Sequence, residues 1–135
     1  MDLITLNVLL NSILVGIILI TQFVNYPLFK KIDQNFETIH KEYTMKMGYV
    51  VAPIMVLEAI TVISMYIYYP KSNVLILIIC LTIIIWLSTF LIQVPIHKTI
   101  SFKKDSKKIK RLISTNYIRT ISWCSKLYLS ILLVS

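Results

Sequence analysis

Three stretches of this chain, Leu3–Phe23, Met47–Tyr69 and Val74–Ile96, carry one charge between them, and each is long enough to cross a bilayer as a helix. A crossing needs ~20 apolar residues, because a rise of ~1.5 Å per residue must cover a hydrocarbon core ~30 Å thick. Inside hydrocarbon every backbone N–H and C=O has to be satisfied without water, which leaves helices and closed barrels as the only spanning structures. A fourth run, Leu112–Val134, has the length but holds Asn116, Arg119 and Lys126. The resulting expectation is all-α: an integral membrane four-helix bundle in a single domain, two helical hairpins with helices near 3–26, 34–69, 73–98 and 107–134. A hydrophobic share of 57% and a mean hydropathy of +0.78 are too high for a soluble domain of this size. The first run does not read as a cleavable signal: it opens on Asp2, is too long, and has no small-x-small cleavage site behind it.

Charge placement sets an orientation. Lys30, Lys31, Lys41 and Lys46 follow the first span, and Lys98, Lys103, Lys104, Lys107, Lys108, Lys110 and Arg111 follow the third. The connection after the second span has only Lys71. Basic loops stay cytoplasmic, so both termini are expected outside. The Lys103–Arg111 cluster reads as a topology determinant that attracts anionic lipid headgroups, and not as a nucleic-acid surface. Cys80 and Cys124 fall inside spans and read as small apolar fillers, not as a disulfide or a metal pair.

The turn Pro70-Lys71-Ser72-Asn73 closes the outer end tightly. On the cytoplasmic side, Asp33 is placed to cap an amphipathic lead-in whose Phe36, Ile39, His40, Tyr43 and Met47 recur at helical spacing. That lead-in runs on into the second span, with Pro53 as a candidate kink. The first and third spans both exit through Pro-x-x-Lys-x-Ile, Pro27 to Ile32 and Pro95 to Ile100, an echo consistent with a duplicated hairpin or simply with the frequency of Pro and Lys at helix ends.

A carboxylate at membrane depth costs ~2.5–3.5 kcal/mol on insertion scales and normally faces a partner or a wet cavity. Glu58 is such a group. Polar residues on all four helices share faces with it: Asn11, Gln22 and Asn25; His40 and Glu58; Gln93 and His97; Asn116, Arg119, Trp123 and Lys126. Counted from the cytoplasmic ends at ~1.5 Å per residue, Glu58 lies ~16 Å deep and Lys126 ~21 Å, close enough to pair. The expectation is a cavity open to the cytoplasm with Glu58 on its floor and Lys126 or Arg119 compensating its charge. Asn25, Gln93, Asn116, Arg119 and Trp123 are then candidates for substrate contact.

The chemistry open to this set divides in three. His40 and His97 are a candidate pair for a transition metal or for axial haem ligation, against the alternative of interfacial histidines bonded at helix ends. Glu58, His97 and Arg119 are candidates for acid–base catalysis without a cofactor, with Arg119 receiving an oxygen of a lipophilic substrate. A structural ion pair is the competing account of Glu58. No Gly-x-Ser-x-Gly occurs, and with only Gly16 and Gly48 there is no phosphate-cradling loop.

The segments Gln22-Phe-Val-Asn-Tyr-Pro27-Leu, His40-x-x-Tyr43, Ala-Pro53-Ile-Met-Val-Leu-Glu58, Gln93-Val-Pro95-Ile-His97 and Asn116-Tyr-Ile-Arg119-Thr120-Ile-Ser-Trp123 resemble a group of small bacterial four-helix membrane proteins across nearly the whole chain. The Val-Pro and Asn-x-x-Arg-Thr elements are also similar to the anthrone-oxygenase-like family. The resemblance implies a multi-pass protein of the bacterial inner membrane, oxidising a lipophilic aromatic or quinone-like molecule, with Glu58, His97, Asn116 and Arg119 at the motif positions. Asn25 and Tyr117 depart from it, standing where a His and a Trp are expected, and the missing His weakens the metal and haem assignments. The expected partners are membrane lipids and a lipophilic small molecule, with a homo-oligomer also open. The competing functions are a small proton-coupled carrier or channel and a non-catalytic, ligand-binding membrane subunit.

Overall fold

The computed structural model describes residues 1–134, and these form four helices: α1 (Leu3–Phe29), α2 (Phe36–Tyr68), α3 (Asn73–Phe102) and α4 (Ser106–Leu132). The first three are long and apolar enough to cross a membrane. α4 matches them in length at 27 residues but not in apolarity, because it supplies much of the polar interior, including Asn116, Arg119, Lys126 and Ser130.

Three helices start on side-chain caps. Asp2 accepts the Thr5 N–H at 2.7 Å, which holds its carboxyl below the ordinary carboxylate range. Ser72 accepts from Leu75 at 3.1 Å, and Asp105 accepts from Lys107 and Lys108 at 2.9 and 3.2 Å. The expected Asp33 cap on α2 is not formed. Asn35 occupies that position in the left-handed region (φ 56°), which Asn tolerates, and no side chain caps the helix. Asp33, two residues too early, pairs with Lys104 at 3.0 Å.

Lys104 fastens the α1–α2 connection to the α3–α4 connection. Its Nζ also donates to the Ile32 carbonyl and lies over the Phe36 ring, and its backbone N–H donates to Glu37 at 3.0 Å. Lys104→Met removes the charged donor while keeping the stem. The expected loss is about 1 kcal/mol in a reversible detergent-denaturation titration. A change under ~0.3 kcal/mol shows that the two connections are not coupled through this residue.

α1 and α3 each contain one wide π turn, Thr21–Asn25 and Thr89–Gln93, immediately ahead of Pro27 and Pro95. Proline has no N–H and its ring collides with the carbonyl four residues back; widening the turn relieves both problems and lets the helix continue. Both helices therefore run past the exits expected from sequence, to Phe29 and Phe102. The step from Thr21 to Thr89 is also the step from Pro27 to Pro95 and from Glu58 to Lys126. The echo between the hairpins thus reaches beyond their exits, and Glu58 and Lys126 occupy equivalent positions in the two halves. α2 passes through Pro53 without interruption.

α4 packs along both α1 and α3, α1 packs on α2, and α2 meets α3 chiefly at the Val94–Phe102 end. Leu14, Ile18, Met55, Ile85 and Trp123 form a mid-bundle apolar layer. Tyr26, Phe29, Phe36, Ile100, Ile109 and Leu112 form a second at the basic-loop end. Large apolar side chains such as Leu9, Ile63, Leu91 and Ile121 point outward. Cys80 and Cys124 are unpaired and exposed among them. Apolar outside and polar inside is the arrangement a lipid solvent selects.

Candidate functional site

The polar interior is two clusters separated by the mid-bundle apolar layer, not one continuous cavity. In the cluster toward the chain termini Lys126 Nζ lies 2.9 Å from Glu58 Oε1, with both side chains fully buried. Lys126 also donates to Thr82 Oγ1 at 3.0 Å and sits 4.1 Å from the centre of the Trp123 ring. Asn7 Nδ2 donates to Glu58 at 3.0 Å and to Thr61 at 2.8 Å, while Asn11 Nδ2 donates to Asn7 at 2.8 Å and Ser130 Oγ donates to Asn7 Oδ1 at 2.9 Å. All four helices meet in this network. Of its acceptors, Glu58 Oε2 and Asn11 Oδ1 have no hydrogen-bond partner among the described residues.

The second cluster lies at the basic-loop end. Tyr26 on α1 is hydrogen-bonded to His97 Nε2 on α3 at 2.8 Å. His97 Nδ1 meets His40 Nε2 on α2 at 2.9 Å, and His40 Nδ1 meets Ser101 Oγ at 2.7 Å. The two imidazoles stack at 5.1 Å, and His40 is held between the face of Phe36 and the edge of Phe29. Beside them, Gln22 accepts from Asn116 at 2.8 Å and donates to the Ile113 carbonyl at 3.0 Å. Gln93 donates to Thr115 at 3.1 Å, and Asn25 to Tyr43 at 3.2 Å.

A cavity of about 540 Å³ opens between α2 and α3 above this cluster, within the range of small-molecule sites. Tyr26, Tyr43, His97 and Arg119 line its polar end, and Met55 and Trp86 its apolar end. Arg119 decides its character. Arg119 is 9% exposed, its guanidinium donates to Asn116 Oδ1 at 3.3 Å, and it lies beside Tyr26 and Tyr43. Its Nε has no partner, and among the described residues no carboxylate pairs with it. A buried cation without a counter-charge is costly unless a ligand supplies one.

The histidines come together as the sequence suggested, but the arrangement does not suit an ion. All four ring nitrogens are engaged, and 2.9 Å between His40 and His97 is too short for a metal between them; an ion bound at ~2.0–2.1 Å to each holds the nitrogens roughly 3.3 Å apart. A haem iron between the rings meets the same obstacle. Among the described residues no group of three His, Cys, Asp or Glu side chains converges on a metal position.

Several expected contacts change place. Glu58 does not line the cavity; it is sealed with Lys126 on the far side of the apolar layer, and Arg119 takes no part in compensating it. Trp123 belongs to that layer, and Asn116 and Gln93 stand behind the cavity wall as tethers of other side chains. Asn25 acts on the site only through Tyr43. Tyr26, Tyr43 and Ser101 are the site residues the sequence reading passed over. Tyr26 lies four residues before Lys30 on a face that only the π turn brings inward, and Ser101 is one turn beyond His97. Comparison with family models, curated proteins and solved structures returns no match for this chain.

Proposed function

We propose that this chain crosses the membrane four times with both termini outside, and that its cytoplasm-side cavity binds a lipophilic phenol- or quinone-like molecule and moves a proton at the bound oxygen. The carrying observation is Arg119, a buried guanidinium whose Nε has no partner and which pairs with no carboxylate among the described residues, at the polar end of an otherwise apolar cavity. A planar fork of donors suits a carbonyl or phenolate oxygen better than a point charge does. Met55 and Trp86 offer an apolar wall for the ring system. Tyr26 stands between Arg119 and His97, so a substrate hydroxyl that gives its proton to the Tyr26 oxygen lets Tyr26 pass its own proton to His97 Nε2, while Arg119 holds the oxyanion.

An oxygenase-like reaction follows this scheme without a cofactor: deprotonation makes an electron-rich aromatic anion, and dissolved dioxygen is the oxidant. The carrier alternative has less support, because the apolar layer interrupts any polar path from one end of the bundle to the other. Trp86 supplies the test. In detergent or nanodiscs, and in a Trp123→Phe background that leaves Trp86 the sole indole, a naphthoquinone and a naphthol are expected to quench Trp86 fluorescence saturably, whereas naphthalene only partitions. Equal, non-saturating quenching by all three defeats the reading. With Cys80→Ala and Cys124→Ala in place, Lys71→Cys in the α2–α3 turn is expected to react with an impermeant maleimide added outside intact cells; reaction only after lysis reverses the topology.

A further inference from the structure

The site as described leaves a proton on His97, and the structure shows where it can go. Tyr26, His97, His40 and Ser101 form an unbroken chain of three hydrogen bonds of 2.8, 2.9 and 2.7 Å, drawn from three helices. Each histidine uses both ring nitrogens, one toward each neighbour, and this gives the chain a direction. When Tyr26 donates to His97 Nε2, the proton of His97 sits on Nδ1 and donates to His40 Nε2; the proton of His40 then sits on Nδ1 and donates to Ser101. The opposite polarity, with Ser101 donating to His40 and His97 donating to Tyr26, is equally complete. The two states differ by one proton shift across every bond and carry the same charge.

We infer that the Tyr26–His97–His40–Ser101 chain is a proton wire between the substrate oxygen and the cytoplasmic side of the membrane. A proton arriving at Tyr26 moves the tyrosine proton to His97, the His97 Nδ1 proton to His40, and the His40 Nδ1 proton to Ser101, which releases its own to water. No imidazolium is left behind in the low-dielectric interior. A proton taken back at a later step runs the chain in reverse and restores the first polarity. The geometry is built for this and for little else: His40 is fully buried, clamped between Phe36 and Phe29, with no cavity contact of its own. Ser101 is half-buried, one helical turn from His97 toward the basic loop, and with exposed Lys98 it lines the basic-loop end of the same cavity, so the wire joins the Tyr26 end of that cavity to its mouth. The wire serves the proposed ligand site and rests on that reading. His40 and Ser101 act through Tyr26 and His97 and are relay residues.

The probe is a hydroxynaphthoquinone, whose absorbance reports its protonation state. Its affinity is read by Trp86 quenching, and its proton exchange by stopped-flow pH jump in nanodiscs. His40→Gln preserves a donor and an acceptor but cannot exchange one for the other, so exchange by the bound probe is expected to slow by about 10²-fold, far more than affinity changes. Ser101→Ala is expected to slow it as well, with Ser101→Thr restoring it; this surface pair keeps the test usable if the buried variant misfolds. In ligand-free protein labelled with ¹⁵N-histidine, a scalar coupling across the His40 Nε2–His97 Nδ1 bond is expected. Absence of that coupling, or wild-type exchange rates in His40→Gln and Ser101→Ala with normal probe binding, overturns the wire alone. Failure of the probe to bind the wild-type protein overturns the ligand site and the wire's role with it.

Discussion

Arg119→Gln weakens saturable binding of a naphthoquinone about 10- to 100-fold while making the ligand-free protein more stable. The first effect is the loss of hydrogen bonds from a charged donor, about 1.5–3 kcal/mol, at 1.4 kcal/mol per tenfold in affinity. The second comes from removing a buried cation that no carboxylate among the described residues balances. Gln keeps a donor for Asn116 Oδ1, the present partner at 3.3 Å, so the contact with Gln22 through Asn116 stands. Arg119→Lys keeps the charge and loses the fork, and its affinity is expected to fall between the two. Trp86 quenching gives the affinities, and detergent-denaturation titration of the apo protein gives the stabilities. Affinity within twofold of wild type in Arg119→Gln, or a destabilised apo protein, contradicts the assignment of Arg119 as a ligand anchor. Opposite signs in one variant separate a functional charge, retained at the expense of stability, from a merely structural one.

Glu58→Gln is expected to destabilise the bundle by about 3–5 kcal/mol, because it leaves Lys126 charged and fully buried without a counter-ion. Lys126→Met produces a comparable loss by stranding the carboxylate among Asn7 and Thr61. The double variant Glu58→Gln/Lys126→Met recovers most of the loss, since replacing a buried pair is far cheaper than breaking it. The measurement is a double-mutant cycle from unfolding titrations, with quenching of Trp86 as a parallel readout. Ligand affinity is expected to follow stability and nothing else, because the pair lies beyond the apolar layer of Leu14, Met55 and Trp123. Additive losses in the cycle show that the two charges do not compensate one another. A selective loss of affinity in a stable double variant returns Glu58 to the functional site.

Much of the Glu58–Lys126 cluster was accessible to spacing alone. Asn7 lies four residues before Asn11 and Ser130 four after Lys126, so the stripes that placed Glu58 opposite Lys126 extend one turn outward to both. The site end resisted the same reading for a definite reason. The π turns at Thr21–Asn25 and Thr89–Gln93 rotate everything beyond them relative to an ideal helix, bringing Tyr26 inward and leaving Asn25 half-buried, while Phe29 stays on the inner face where the spacing puts it. A fixed period of 3.6 loses register at that point. The Asp33 cap failed on a similarly local matter, since Asn35 turned the chain and freed the carboxylate for a lysine far away in sequence.

Hydropathy, loop charge and helical period determine, without any structure, that this chain makes apolar helices with polar inner faces and that Glu58 needs a cation, because the energies behind those rules are local and large. Which cation it takes is decided only by packing. Lys126 and Arg119 sit two turns apart on one helix, and the sequence gives either as a partner. The fold seals Lys126 against Glu58 across the bundle, and an apolar layer keeps Arg119 from the carboxylate and turns it toward a cavity. Burial makes pairing obligatory, but the distance that chooses the pair is a property of four helices together.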